Sequence, residues 1–232
     1  MRNTLIAVAL ASTALATVAH AAVVDLNFEG INATYPSGFA FINGFYNGGT
    51  SSDGTSGPNY GVAFSSNAQA ICLNSLTVVC SNTSRGGLAP GSAEGALFFL
   101  SGSSTTIDVA AGFNTGFSFN YTNPGGVAGS VSVFSGLDGT GSLLASFGLG
   151  ATASGCPGYS AAFCPFFPIG VAFGGTAESI VFGGVANEIV FDDVTFGASS
   201  PGVPEPAAWA TMLAGLAGAG AMMRRRRSLA AT

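Results

Sequence analysis

The segment Phe117-Ser118-Phe119-Asn120-Tyr121 sets an aromatic ring at every second position. Side chains on a strand alternate between its two faces, so this pattern describes a strand with one aromatic face turned to a core. The same grammar recurs along the chain as short apolar runs broken by Gly, Ser, Asn and Asp. Val131–Phe134 follows the turn Asn123-Pro124-Gly125-Gly126, and Leu137-Asp138-Gly139-Thr140-Gly141 is a tight connection into Leu143–Leu149. Further strands are predicted at Val23–Phe28, Gly61–Ser65, Ala96–Leu100, Thr105–Val109, Val171–Phe173, Ser179–Phe182, Glu188–Phe191 and Val194–Phe196. The stretches Ser51–Pro58 and Ala151–Pro168 read as long loops. Inside this region no sustained 3.6-residue apolar period with helix caps occurs.

About ten short strands at this spacing imply an all-β domain of two packed antiparallel sheets, a jelly-roll-like β-sandwich. A β-solenoid would need a repeat of fixed period, and there is none. Composition agrees: 35 glycines mark turns, while 48% hydrophobic residues, 19 of them Phe, are enough to fill a core.

The two ends follow different rules. Residues 1–21 read as a secretory signal: Arg2 is the positive start, Leu5–Val18 the apolar run, and Ala19-His20-Ala21 places small residues for signal peptidase, with cleavage after Ala21. That run is short for a membrane span. Cleavage removes His20, the only histidine, and the chain has no lysine. From Ala22 to Gly202 ten acidic residues face one arginine, Arg85. A domain this acidic has no electrostatic grip on nucleic acid or an anionic membrane surface.

Four cysteines fall in two pairs of equal spacing, Cys72/Cys80 and Cys156/Cys164. In an exported chain such pairs predict disulfides, and of three connectivities 72–80 with 156–164 is preferred because each bond staples one loop. Each is worth about 2–3 kcal/mol. Zinc is disfavoured by seven-residue spacing without histidine, and a redox pair by the lack of C-x-x-C.

After residues 198–202, a flexible linker by composition, comes Val203-Pro204-Glu205-Pro206. Ala207–Met223 is then an uncharged, mostly apolar run of 17 residues, about 25 Å as a helix and near the minimum for a bilayer. Arg224, Arg225, Arg226 and Arg227 follow as a stop signal that stays cytoplasmic. The expected order is an external domain at 22–197, a linker, and a tail at 203–232 with a single transmembrane helix.

With Pro204-Glu205-Pro206, Trp209-Ala210 and the arginine cluster in this order, the tail resembles the PEP-CTERM family of sorting signals. The label "ice-binding protein C-terminal domain" is also given to such tails. It describes the tail alone, since a flat array of regularly repeated Thr is missing here. The resemblance implies recognition by an exosortase, cleavage near the Pro-Glu-Pro motif, and transient residence in the inner membrane of a Gram-negative bacterium. Display at the cell surface or release into the extracellular matrix, the exopolysaccharide of a biofilm, would follow. Two prolines stiffen the peptide in an extended form and Glu205 adds a charge, a handle that a membrane-face protease can read. Phe45-Tyr46-Asn47-Gly48-Gly49, Asn59-Tyr60-Gly61-Val62 and Phe191-Asp192-Asp193-Val194 also resemble the mature domains of such proteins, which supports the fold and transfers no activity.

Chemistry in the mature domain is limited. Without His or Lys, the Ser-His-Asp, Cys-His and lysine-base mechanisms are excluded, and no phosphate loop with Lys exists. No catalytic residues are assigned, although an Asp/Glu pair of glycosidase type depends on distances in the fold. Sugar stacking has candidates in Tyr35, Tyr46, Tyr60, Tyr121 and Tyr159 with nearby Asn, though the only Trp, Trp209, lies in the tail. No cofactor is required. A structural calcium ion is the one candidate, held by Asp25 and Glu29 on or after the first strand and by Asp192 and Asp193 between the last two, if those strands are neighbours. The expectation is a non-enzymatic surface or matrix protein of structural or adhesive role. A glycan-binding module in the exopolysaccharide layer is the first alternative, and a carbohydrate-active enzyme using paired carboxylates the second.

Overall fold

A computed structural model of the chain describes residues 24–32, 39–73, 95–153, 155, 163 and 165–200. The strands, in chain order, are β1 (Val24–Leu26), β2 (Phe39–Phe41), β3 (Val62–Phe64), β4 (Ala68–Cys72) and β5 (Gly95–Phe99). They continue with β6 (Ser104–Thr122), β7 (Ser130–Phe134), β8 (Leu143–Gly148), β9 (Phe167–Gly183) and β10 (Val190–Phe196). All pairings among them are antiparallel. The signal segment 1–21 and the tail 203–232 lie outside the described residues. Among the described residues no helix is long and apolar enough to cross a membrane.

The expected pair of separate sheets is, in hydrogen bonding, one continuous ten-stranded sheet folded over on itself. Two long strands make the fold. β6 joins the predicted strands Thr105–Val109 and Phe117–Tyr121, and β9 joins Val171–Phe173 and Ser179–Phe182. Their pairing slips between Asp108 and Phe113 and again before Thr115. At this corner Gly112 and Thr115 both take positive φ, 70° and 73°. An extra residue in left-handed conformation bends and twists a strand, which lets it leave one layer and enter the other.

The result is two layers. The first holds β3, the opening half of β6, the closing half of β9, β7 and β8. The second runs β2, β4, β5, β10, the closing half of β6 and the opening half of β9, with β1 beside β10 on its β5 side. Between them lies the aromatic core. Phe182 of the first layer meets Phe191 of the second at 4.5 Å between ring centroids, Phe119 at 5.4 Å and Phe117 at 5.9 Å. Burying each such ring contributes about 1.5–3 kcal/mol, so the alternation read at Phe117–Tyr121 does face the core.

A second apolar cluster covers part of the outer face of the second layer: Ile71, Leu73, Ala96, Phe98, Phe166 and Val190, with Phe163 packed on it. β4 and β5 are consequently buried on both faces. That is why their sequences run apolar without alternating, as in sheets covered on both sides. Cys72, at the end of β4, is disulfide-bonded. Cys80, Cys156 and Cys164 lie outside the described residues, and the expected pairing falls there with them.

The chain past β10 stays on the domain. The Gly197 amide donates to the Gly116 carbonyl at 3.0 Å, the Thr115 hydroxyl donates to the Gly197 carbonyl at 2.6 Å, and Ala198 is buried. A Cβ at Gly170 would run into the carbonyl oxygen of Ser199, so glycine there seats this strap against the sheet. Ala198, the first residue of the predicted linker, is thus buried, while Ser199 and Ser200 are exposed.

Candidate functional site

Two places on the domain carry polar chemistry. The first is the junction of the first and last strands. β1 pairs with β10 through Val24↔Phe196, Asp25↔Thr195 and Leu26↔Val194, so the neighbouring strands required by the calcium expectation are present. β10 bulges between Asp192 and Thr195, with Asp193 at φ 48°. The bulge turns Asp193 toward the outer face, where its Oδ2 accepts from Asn120 Nδ2 at 3.1 Å. The Thr195 hydroxyl donates to Asp25 Oδ1 at 3.4 Å. Asp192 Oδ1 accepts from the amide of Asp193 at 2.8 Å, and Glu29 Oε1 accepts from the amide of Gly95 at 2.9 Å.

These carboxylates feel one another. Burial, then the charge of Asp25, pushes Asp193 up to about 6, with Glu29 adding to the rise and the Asn120 bond opposing it. Asp25 is raised by burial, against its bond from Thr195. Tyr46 is shifted upward, first by burial and then by the charges of Asp192 and Glu29, while its hydroxyl accepts from the Phe28 amide at 2.8 Å. Yet the four acids do not form a cage. Glu29 caps a strand and Asp192 its neighbour's amide. Among the described residues no group of three or more His, Cys, Asp or Glu side chains is placed to hold a metal ion.

A further carboxylate pair joins Asp108 of β6 to Asp138 of the hairpin after β7. The amide of Asp138 donates to Asp108 Oδ1 at 2.8 Å. Asp108 is raised by burial and by the adjacent Asp138 charge, with that amide bond lowering it. Its role is to hold the hairpin: alongside it, Ser179 Oγ accepts from the Gly139 amide at 3.0 Å and donates to the Gly136 carbonyl.

The second place is the loop 43–61. Of the tyrosines proposed for sugar stacking, Tyr46 and Tyr121 are buried, Tyr60 is 47% exposed, and Tyr35 and Tyr159 lie outside the described residues. Tyr60 lies nearly parallel to Tyr46, at 17° and 6.1 Å between centroids. Its amide donates to the Tyr46 carbonyl at 2.9 Å, and the loop is cross-braced by the bridges Asn47↔Asn59 and Thr50↔Ser56. The Ser51 and Thr55 hydroxyls are 2.8 Å apart, and Thr55 Oγ1 donates to the Ile31 carbonyl at 2.7 Å. A stretch that reads as a long loop from its Gly, Ser and Asn content is thus an internally bonded unit. Its signal was the Asn-x-Gly spacing at Asn47–Gly49 and Asn59–Gly61, which turn chemistry can exploit.

No family model matches the chain, and no curated protein does. Among solved structures it is similar to the module CsCBM6-3 from Clostridium stercorarium in complex with cellobiose, with 20% identity over 58% of this chain and 85% of that one, at a TM-score of 0.35. A family 6 carbohydrate-binding module studied by binding sub-site dissection gives 17% identity, 59% and 87% coverage, and a TM-score of 0.33. The K2 cleaved adhesin domain of Lys-gingipain gives 14% identity, 76% and 98% coverage, and a TM-score of 0.38. At these scores the likenesses assign neither a ligand nor an activity.

Proposed function

We propose that the chain is an exported, non-enzymatic protein whose β-domain is delivered to the cell surface or extracellular matrix by its C-terminal tail. The tail supports this reading: Pro204-Glu205-Pro206, the apolar run 207–223 and Arg224–Arg227 stand in the order that an exosortase-read signal uses. The domain suits the role. Its first and last strands pair with each other, so the fold closes upon itself before the tail begins. In this reading signal peptidase and an exosortase are partners during export, and the role of the displayed domain is structural or adhesive.

The test is to replace Pro204-Glu205-Pro206 with three alanines in the native cells and follow the protein by fractionation. The wild type should leave the inner membrane for the surface or medium, and the variant should accumulate as a membrane-bound precursor. Equal distribution of both would refute exosortase sorting.

A second reading, glycan binding by the displayed domain, is favoured by Tyr60. It is the one tyrosine among the described residues that offers an exposed ring on a braced loop.

A further inference from the structure

A β-sheet ends in strands whose outer backbone groups lack a partner, and such edges pair with another chain unless something blocks them. Most edges of this domain are blocked. β2 is three residues long, and Ser52 occupies its free side: the Ser52 amide donates to the Phe41 carbonyl at 2.9 Å, and the Phe41 amide donates to Ser52 Oγ at 2.8 Å. β3 is equally short, and its Val62 amide donates to the Tyr46 carbonyl at 3.4 Å. The opening half of β9 carries Pro168, which has no amide proton to offer. β1 is again three residues long and carries the carboxyl of Asp25.

β8 is different. It closes the first layer, pairs only with β7, and holds neither a proline nor a charged residue. The Leu149 amide donates to the Gly129 carbonyl at 2.9 Å. Counting back in twos, Phe147 and Ala145 also turn their backbone groups toward β7, which leaves those of Ser146 and Gly148 pointing away from it. Among the described residues nothing bonds to these outward groups. The one bulge, at Leu144, lies between the pairs Val133↔Ala145 and Phe134↔Leu143, so residues 145–148 run in unbroken register.

The sequence of this edge is complementary to itself. When two β8 strands pair antiparallel about a twofold axis at Ser146, that serine faces its own copy. Phe147 then faces Ala145 and Gly148 faces Leu144, large against small at each position. Ala145 and Phe147 are half-buried against the core, with Phe147 stacked on Phe119 at 5.9 Å, so this register carries the core across the junction. Charge permits it as well. The stretch 22–202 has ten acids against one arginine, so its surface in general repels a second copy, but β7 and β8 contain no charged residue. The twofold also carries the two Asp138 turns to opposite ends of the junction.

We propose that β8 is a docking edge for a second copy of this chain, which pairs with it antiparallel about Ser146. The sheet of the first layer then runs through both copies. The pairing needs neither sorting nor a ligand, so it stands or falls independently of the function proposed above.

The test places single cysteines on the full chain in a non-ionic detergent and oxidises them gently. In this register the two Ser146 Cα atoms lie about 5.5 Å apart, within the limit of about 7 Å for a disulfide. Ser132 of β7 shares a hydrogen bond with the Ser146 hydroxyl at 3.1 Å and faces the same way. Its two copies lie three strand spacings apart, about 14 Å, too far for a bond. Ser146→Cys should give a covalent dimer on a non-reducing gel, and Ser132→Cys should stay monomeric. Sedimentation gives a second readout. Ser146→Lys and Ser146→Glu each set like charges face to face and should each associate about fivefold more weakly than wild type, while their equal mixture should regain the loss. All variants share one tail, and melting temperatures equal to wild type would show that each is folded. A Ser146→Cys chain that stays monomeric, or that cross-links no faster than Ser132→Cys, would overturn the proposal. So would Lys and Glu variants that associate as wild type does, or a mixture no tighter than either alone.

Discussion

The two faces of the second layer are built from the same strands and solve different problems. On its inner face Phe117, Phe119 and Phe191 meet Phe182 of the first layer, and all four are buried. On its outer face the alternate residues Ser118, Asn120 and Asp192 are equally buried, but they are polar. The inner face gains free energy simply by leaving water. The outer face must find a partner for each polar group it hides, and a shortfall costs about 1–3 kcal/mol per group. The outer face is accordingly tied to particular atoms, Asn120 on Asp193, Thr195 on Asp25, and the strap on Gly116 and Gly170, while the Ser118 hydroxyl is buried with no hydrogen-bond partner among the described residues.

Breaking the inner face should have the largest effect. Phe182→Ala removes the ring through which the layers touch and should cost about 3–5 kcal/mol, read as a lower midpoint in urea. On the outer face Gly170→Ala drives a methyl into the Ser199 carbonyl and should cost about 1–3 kcal/mol. It should also open the chain near Ala198 to proteolysis. If that variant keeps wild-type protease resistance, the strap is not seated as described.

A third substitution separates the faces by pH. The folded-state value of Asp193, about 6, lies above its ordinary 3.8, so between the two the native state holds more protons than the unfolded one. The contribution of this group therefore favours folding at low pH, weakens as pH rises through that window, and is fully unfavourable above about 6. Asp193→Asn keeps an oxygen for Asn120 and tolerates positive φ. It should raise the melting temperature at pH 7 and leave it nearly unchanged at pH 4. The reverse order would show that Asp193 is stabilised as a carboxylate. The smallest effect on folding belongs to Tyr60→Ala, expected within about 0.5 kcal/mol of wild type, because it lies outside both faces.

The sequence made the inner face readable because its code is local. A ring at every second position needs no knowledge of the partner strand; β7 and β8 are found where the pattern puts them, while β6 and β10 each run through what reads as two strands. The bends were not legible: nothing at Gly112 or Thr115 distinguishes a turn between strands from a bulge within one. β2 and β4 were missed for different reasons. Phe39-Ala40-Phe41 is too short to stand out, and Ala68–Cys72 lacks alternation because both its faces are covered. At the candidate sites, pairing of the first and last strands was conditional in the sequence and is present in the fold. The contact of Glu29 with the amide of Gly95, 66 residues away, was hidden, since no local pattern links the two. Exposure of Tyr60 was equally hidden, because burial of one tyrosine over another is decided by packing.

The claim that this domain is made for display rests most directly on what becomes of the tail. Intact mass measurement of the protein recovered from the outside of its native cells decides it. The account predicts an N-terminus at Ala22 and a C-terminus near Pro204–Pro206. A mature species that still carries Arg224–Arg227 would contradict it.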